Sequence, residues 1–365
     1  MKQFFLKLGL MTVLVFSLCY VSRLLTHNWL AVPYCWNDST LGAKQIALQN
    51  AGWDYNMYFL GTSRMYRGIN PEVVKNTVKE KGKNQKLKAF NFGFPGAKMG
   101  ALRWWVKHIS DKISNPNKQK YIVLELVSVR NNNTAIADNG NIERNRYWIN
   151  FEGFWANVKM LMGFDEKSYS NSEKGKALKG YFRPFLKTIF NLGGADYATR
   201  YRFVTTNLNK TGANRDGYLA LEKEKDRDGK VAKKHNGFLK RANEVAKDKK
   251  NFNIDANKSL RNKKLPPLNE AYYEAIMNLI EYTKAQNIHL VVVTMPYTNN
   301  VLYEEVLPVF EKLPRNHKID LANANKHPEL YAPNLMYDVG HSSIKGAKVL
   351  SKEFAKEFAK LNKRK

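Results

Sequence analysis

Apolar positions along the chain fall into runs of different length and period. The longest is at the start, where residues 8–22 (LGLMTVLVFSLCYVS) carry no charge and lie between Lys7 and Arg23. Phe4, Phe5, Leu24 and Leu25 extend it, since basic side chains at the ends of a span can reach back to the interface. From Phe4 to Leu25 the stretch matches the roughly 20 residues that a helix needs to cross a bilayer. Shorter apolar runs follow at Tyr55–Leu60, at 88–94 (KAFNFGF), at 121–129 (YIVLELVSV) and at 288–294 (IHLVVVT). Their length and content of branched and aromatic residues predict buried strands. Between them the period changes to that of helices. Asn70 and Pro71 are suited to cap and open a helix that ends at Gly82. Leu102, Trp105, Val106 and Ile109 share one helical face, with Trp104 and Trp105 packing a helix on the sheet. Residues 270–286 form an amphipathic helix, and a last one starts near Ile344. Strands alternating with helices predict an α/β fold built on a parallel sheet.

The alternation stops between residues 131 and 268, a stretch rich in Lys, Asn, Gly and aromatics with weak helical patches at 154–162, 177–190 and 232–247. Between residues 205 and 264 there are 17 Lys or Arg against 8 Asp or Glu. The pattern divides the chain into an apolar N-terminal segment (1–25), a tether (26–53), an α/β domain in two pieces (54–130 and 269–365), and a basic insertion or cap (131–268). A separate small domain or a linker is the other reading of 131–268. The N-terminal run reads as an uncleaved anchor rather than a signal peptide, because no small-x-small cleavage site follows it. Leu18, just before Cys19, is too large for a lipoprotein site. With Lys2 and Lys7 inside, the bulk of the chain would lie on the extracytoplasmic side.

Charge changes the picture of partners more than of fold. Sixty basic and 32 acidic residues give a formal charge of +28, which favours an anionic polymer or lipid surface. Nucleic acid is not expected, since the basic residues are dispersed and no recognition motif is visible. Cys19 and Cys35 do not make a disulfide framework. No Walker or dinucleotide-binding glycine loop is present. His108, His235, His289, His317 and His327 lack metal-ligand spacing and read as surface or strand-end residues. No cofactor or metal is expected.

Ligands of doubly wound sheets bind outside the carboxyl ends of the strands. Three stretches fall at such ends: GTSR after the first strand, FPGAK after the second and VSVRNNN after the third. A fourth, YDVGHSS at 337–343, precedes the final helix. A serine nucleophile needs a base within hydrogen-bond reach, and the base needs an orienting group. Ser63, His341 and Asp338 have the chemistry for those roles, although G-x-S is commonly a turn and D-x-x-H a helix cap. Arg64 suits either an anionic substrate or an ion pair at a strand end. Pro296 and Tyr297 are placed to shape a cleft wall.

Together, FLGTSR, NFGFPGAK and DVGHSSIKGA resemble the SGNH (GDSL-like) hydrolase superfamily over residues 55–130 and 270–360. The resemblance implies a flavodoxin-like three-layer parallel sheet, here with a large insertion and an N-terminal transmembrane helix. The anchor, the G-x-S-R and the insertion look most like the branch of the D-alanyl-lipoteichoic acid transfer protein and the alginate O-acetylation proteins. That branch implies a membrane-anchored extracytoplasmic serine acyltransferase or esterase acting on a cell-envelope polymer, often beside a multi-span membrane-bound O-acyltransferase. Carried over, Ser63 is the nucleophile, His341 the base, Asp338 its orienter, and the backbone N–H groups of Ser63 and Gly96 form the oxyanion hole. Where the family's third block supplies an Asn donor, this chain has Val129. Arg130, Asn131 or Asn132 are the candidates to replace it, with Arg64, Arg130 and Asn131 as substrate-binding candidates. The missing donor also motivates an inactive scaffold that binds polymer or docks an acyltransferase.

Overall fold

The structure is a computed structural model, and it describes residues 1–29, 39–80, 87–129, 150–164, 169–190, 208–224, 261, 264–296, 300–338 and 340–361. The chain begins with one long helix, α1 (Lys2–Trp29), whose first part, Lys2–Ser22, is long and apolar enough to span a membrane. Helix α2 (Ser39–Asn50) then precedes strand β1 (Met57–Leu60), the short helix α3 (Ser63–Gly68), α4 (Pro71–Glu80) and β2 (Ala89–Asn91). Next come α5 (Met99–Ile113) and β3 (Lys120–Glu125). Within 131–268, the described residues form α6 (Phe151–Met162), α7 (Asn171–Ile189) and a pair of tight turns at Leu208–Thr211 and Leu221–Lys223. Helix α8 (Glu270–Lys284), β4 (Ile288–Thr294), α9 (Asn300–Lys312) and β5 (Lys318–Asp320) complete the sheet. A two-stranded hairpin, β6 (Met336–Asp338) and β7 (His341–Ser342), leads into α10 (Ile344–Leu361).

The five strands are all parallel and ordered β2-β1-β3-β4-β5. Chain order reverses between β1 and β3, so the crevice at their carboxyl ends is the switch point where ligands of doubly wound sheets bind. The strands are buried on both faces, as the continuous apolar runs require. Alternate residues feed two cores. Tyr58, Leu60, Ile122, Leu124, Leu290 and Val292 pack with α5 and α8 on one face. Met57, Phe59, Val123, Val291 and Val293 pack with α4 and α10 on the other. The sheet is thus the middle of three layers.

The elements expected from periodicity are present, the first three strands with shortened ends, while the helix end expected at Gly82 lies outside the described residues. Asn70 caps α4, its side-chain oxygen accepting from the N–H groups of Glu72 (3.0 Å) and Val73 (3.4 Å). Two features differ from the sequence reading. The stretch expected as a tether contains α2, whose Leu41 and Leu48 join the core and whose Lys44 is fully buried. A fifth strand and α9 lie where no apolar run marks them: β5 is only Lys-Ile-Asp, recruited because it pairs with the hydrogen-bonding edge of β4. The expected helical patches at 154–162 and 177–190 are α6 and α7. The patch at 232–247 lies outside the described residues.

Candidate active site

The turn after β1 places Ser63 as the first residue of α3. Thr62 is its N-cap, the threonine hydroxyl accepting from the Arg64 N–H at 3.2 Å. An N–H at the first helical position, as that of Ser63, has no acceptor within the helix. What fixes this turn is Glu125, the last residue of β3 and fully buried. Its carboxylate accepts from the Thr62 N–H (2.6 Å), from the Thr62 hydroxyl (3.0 Å) and from Arg64 Nε (2.8 Å). Gly61 has to lack a side chain, because a Cβ there would overlap that carboxylate. Arg64 Nε thus makes an ion pair at the strand end, one of the two roles its position suggested.

His341 comes from the other end of the chain. The β6–β7 hairpin holds Asp338 opposite His341. The Asp338 carboxylate meets His341 Nδ1 at 2.8 and 2.9 Å and accepts the Gly340 N–H at 2.8 Å. His341 Nε2 lies 2.8 Å from Ser63 Oγ. Burial raises the Asp338 pKa, but the hydrogen bond and charge of His341 and the N–H groups of Gly340 and His341 outweigh it, and the carboxyl sits below its ordinary value. An ionised Asp338 accepts a hydrogen bond from the Nδ1–H tautomer of His341, which leaves Nε2 to accept one from the Ser63 hydroxyl. Ser63, His341 and Asp338 form one hydrogen-bonded line, partly open to solvent. No family model and no curated protein matches this chain.

The second loop is laced to the first. The Phe94 N–H donates to the Gly61 carbonyl at 3.0 Å. Buried Asn91 donates from Nδ2 to the carbonyls of Met65 (2.8 Å) and Ile69 (2.6 Å) and accepts from the Gly93 N–H (2.9 Å). One amide thus joins the end of β2 to α3. Any Cβ on Gly93 would come within 2.6 Å of the Tyr66 nitrogen. Gly96 follows in a left-handed turn with φ +67°, a conformation that favours glycine. Lys44 underlies the loop: its Nζ donates to the carbonyls of Asn91 (2.8 Å) and Gly93 and sits 3.6 Å from the centre of the Tyr66 ring.

The third loop ends the described part of its stretch at Val129, which is fully buried. Its N–H donates to Glu305 on α9 at 2.8 Å, and the Ser128 hydroxyl bonds the same carboxylate. Arg130, Asn131, Asn132 and Tyr297 lie outside the described residues.

Part of the insertion returns to this side of the molecule. Residues 208–224 add onto β2, with the Asn91 N–H donating to the Asp216 carbonyl at 2.8 Å. The Tyr66 hydroxyl donates to the Lys210 carbonyl (2.6 Å), and Arg67 reaches the Leu219 carbonyl (2.8 Å) and Glu224 (3.1 Å). Glu222 accepts from the Ile344 N–H at 2.7 Å, capping α10 three residues beyond His341. A carboxylate at a helix N-terminus is favoured by both the free N–H and the helix dipole.

Glu125, Asn91, Lys44, Glu305 and Glu222 were not singled out from sequence. Each acts through a contact across two dozen residues or more, and only Asn91, the first residue of NFGFPGAK, sits in a quoted motif. The one local sign was the charge itself: Glu125 interrupts an otherwise apolar run, YIVLELVSV. His289 and His327, read as surface or strand-end residues, are both buried, His289 Nε2 lying 2.8 Å from the Asn316 carbonyl.

Proposed function

We propose that this chain is a membrane-anchored, extracytoplasmic serine acyltransferase or esterase of the SGNH type, acting on a cell-envelope polysaccharide or teichoic-acid-like polymer. The observation that carries this reading is the Ser63–His341–Asp338 line, with 2.8 Å from Oγ to Nε2 and 2.8 Å from Nδ1 to the carboxylate. The strand order, its switch point and the resemblance of the three motifs support the same reading.

In this mechanism Ser63 Oγ attacks the carbonyl carbon of an acyl donor while its proton passes to His341 Nε2. Asp338 holds the imidazole and stabilises the imidazolium. The N–H groups of Ser63 and Gly96 receive the developing oxyanion. The tetrahedral centre collapses, the donor's leaving group departs with the proton from His341, and an acyl-serine remains. A sugar hydroxyl then gives its proton to His341 as its oxygen attacks the acyl carbon, and His341 passes that proton to the departing Ser63 Oγ, restoring the serine and leaving an acylated polymer. Water in place of the sugar gives hydrolysis. The basic surface serves to hold an anionic polymer, and a multi-span O-acyltransferase is the proposed source of acyl groups.

A fluorophosphonate probe tests the chemistry. The wild-type chain is expected to be labelled at Ser63, and Ser63→Ala to lose both labelling and envelope acylation in cells. A second reading, an inactive scaffold that binds polymer or docks the acyltransferase, draws on buried Val129 at the place of the family's Asn donor. An unlabelled but folded wild-type chain would favour it.

A further inference from the structure

The described residues after α1 expose six large apolar side chains: Phe151, Trp155, Met162, Leu178, Phe182 and Ile344. Five of them belong to the α6–α7 pair. Phe151, Trp155 and Met162 recur at helical spacing on one side of α6, and Leu178 and Phe182 are one turn apart on α7. Phe151 is 54% exposed, Trp155 57% and Phe182 50%. The rings are continuous. Phe151 packs on Phe185 at 5.3 Å, Phe154 lies 6.3 Å from Phe182, and Phe154 touches Trp155 at 5.5 Å between centroids. Soluble proteins seldom leave so concentrated an apolar patch uncovered.

Helix α7 also touches α1. Phe190, just past the end of α7, lies against Phe16 of α1 with the rings tilted and centroids 4.4 Å apart. Phe16 is six residues before Ser22, where the candidate span ends, or about 9 Å along the helix at 1.5 Å per residue. A ring held at that depth cannot stay in water if α1 crosses a bilayer. Exposed Lys159, Lys176 and Lys179 border the same two helices, while Glu152 is paired with Lys107 and Glu173 with the start of its own helix. Apolar rings with a lysine border suit the acyl and anionic headgroup regions of a leaflet.

We infer that α6 and α7 form a second membrane-contact element, seated in the bilayer leaflet next to the α/β domain and beside α1. The occupant of the patch is lipid. The inference rests on α1 being a membrane span. Seating the pair fixes the height and orientation of the catalytic face above the membrane, which one span alone could not do.

The test uses the full chain with Cys19 and Cys35 changed to Ser, reconstituted in phosphatidylcholine vesicles containing phosphatidylglycerol. Spin labels go on single cysteines at Val13, Trp155, Phe182 and Lys352, the last an exposed position on α10. Labels at 155 and 182 are expected to collide with a water-soluble nickel chelate roughly tenfold less than the label at 352, and more with oxygen, as for groups below the headgroups. Chelate access at 155 and 182 equal to that at 352, with the label at 13 shielded, would overturn the inference while leaving the anchor. A label at 13 as wet as that at 352 would overturn the anchor itself. Shielding at 155 and 182 in native membranes but not in vesicles would assign the patch to a protein partner and refute the lipid occupant.

Discussion

Glu125 and Asp338 are both carboxylates at the carboxyl edge of the sheet, and their surroundings give them different work. Asp338 is partly exposed and faces an imidazole. Replacing it by Asn keeps the shape but removes the charge that fixes the tautomer, so fluorophosphonate labelling of Ser63 should slow by on the order of a thousandfold or more, with the urea midpoint little changed. Glu125 has no route to the reacting atoms. It is buried under the turn, where it satisfies the Thr62 N–H and hydroxyl and the Arg64 guanidinium at once. Glu125→Gln weakens these charge-assisted bonds and should cost about 2 kcal/mol of stability in urea unfolding. It should also slow labelling at every pH by a constant factor, because the turn loses its fixed position while the base is untouched. A bell-shaped change in the pH profile would argue against that positioning role.

Segment 208–224 is the element whose docking can be followed separately. Burial pushes the Asp216 carboxyl up to about 6, against the pull of the Tyr218 N–H and the Lys44 charge. The folded chain thus holds this proton more tightly than the unfolded chain, whose value is near 3.8. Stability from this group is full below about pH 4 and is lost as pH rises through about 6. Asp216→Asn keeps the acceptor for Tyr218 without the buried charge. It should raise stability on the order of 1 kcal/mol at pH 7.5 and change little at pH 4, read by thermal unfolding at both. Gly217 has φ +86°, and a Cβ there would overlap the Asn91 carbonyl oxygen. Gly217→Ala should detach the segment from β2, seen as faster amide exchange over 208–224 and at Asn91.

At the scale of the whole molecule, the charge of +28 is a statement about association. Binding of an anionic envelope polymer should weaken steeply between about 0.1 and 1 M salt, where the screening length falls from roughly 10 to 3 Å, while Ser63 labelling by a small neutral probe stays level. Salt-independent binding would remove charge as the reason for the interaction. The tertiary arrangement gives that surface a frame: the site at the carboxyl edge of the sheet, and α1 with Phe190, just past α7, against its Phe16.

What the sequence determined by itself was whatever is written in short-range patterns. Apolar runs of strand length, helical spacing, Asn70 before Pro71 and the uncharged N-terminal stretch are local signals, and they yielded four of the five strands and the candidates Ser63, Asp338 and His341. A 278-residue gap separates Ser63 from His341, and only the parallel sheet, by bringing first and last elements to one edge, could turn them from a list into a line. The same holds for the supports. Glu125 reaches across to Thr62, Lys44 rises from a presumed tether under the second loop, and Glu222 of the insertion caps α10. A buried charge is stable only where its partners are satisfied in space, and partners that far apart leave no period or motif to read.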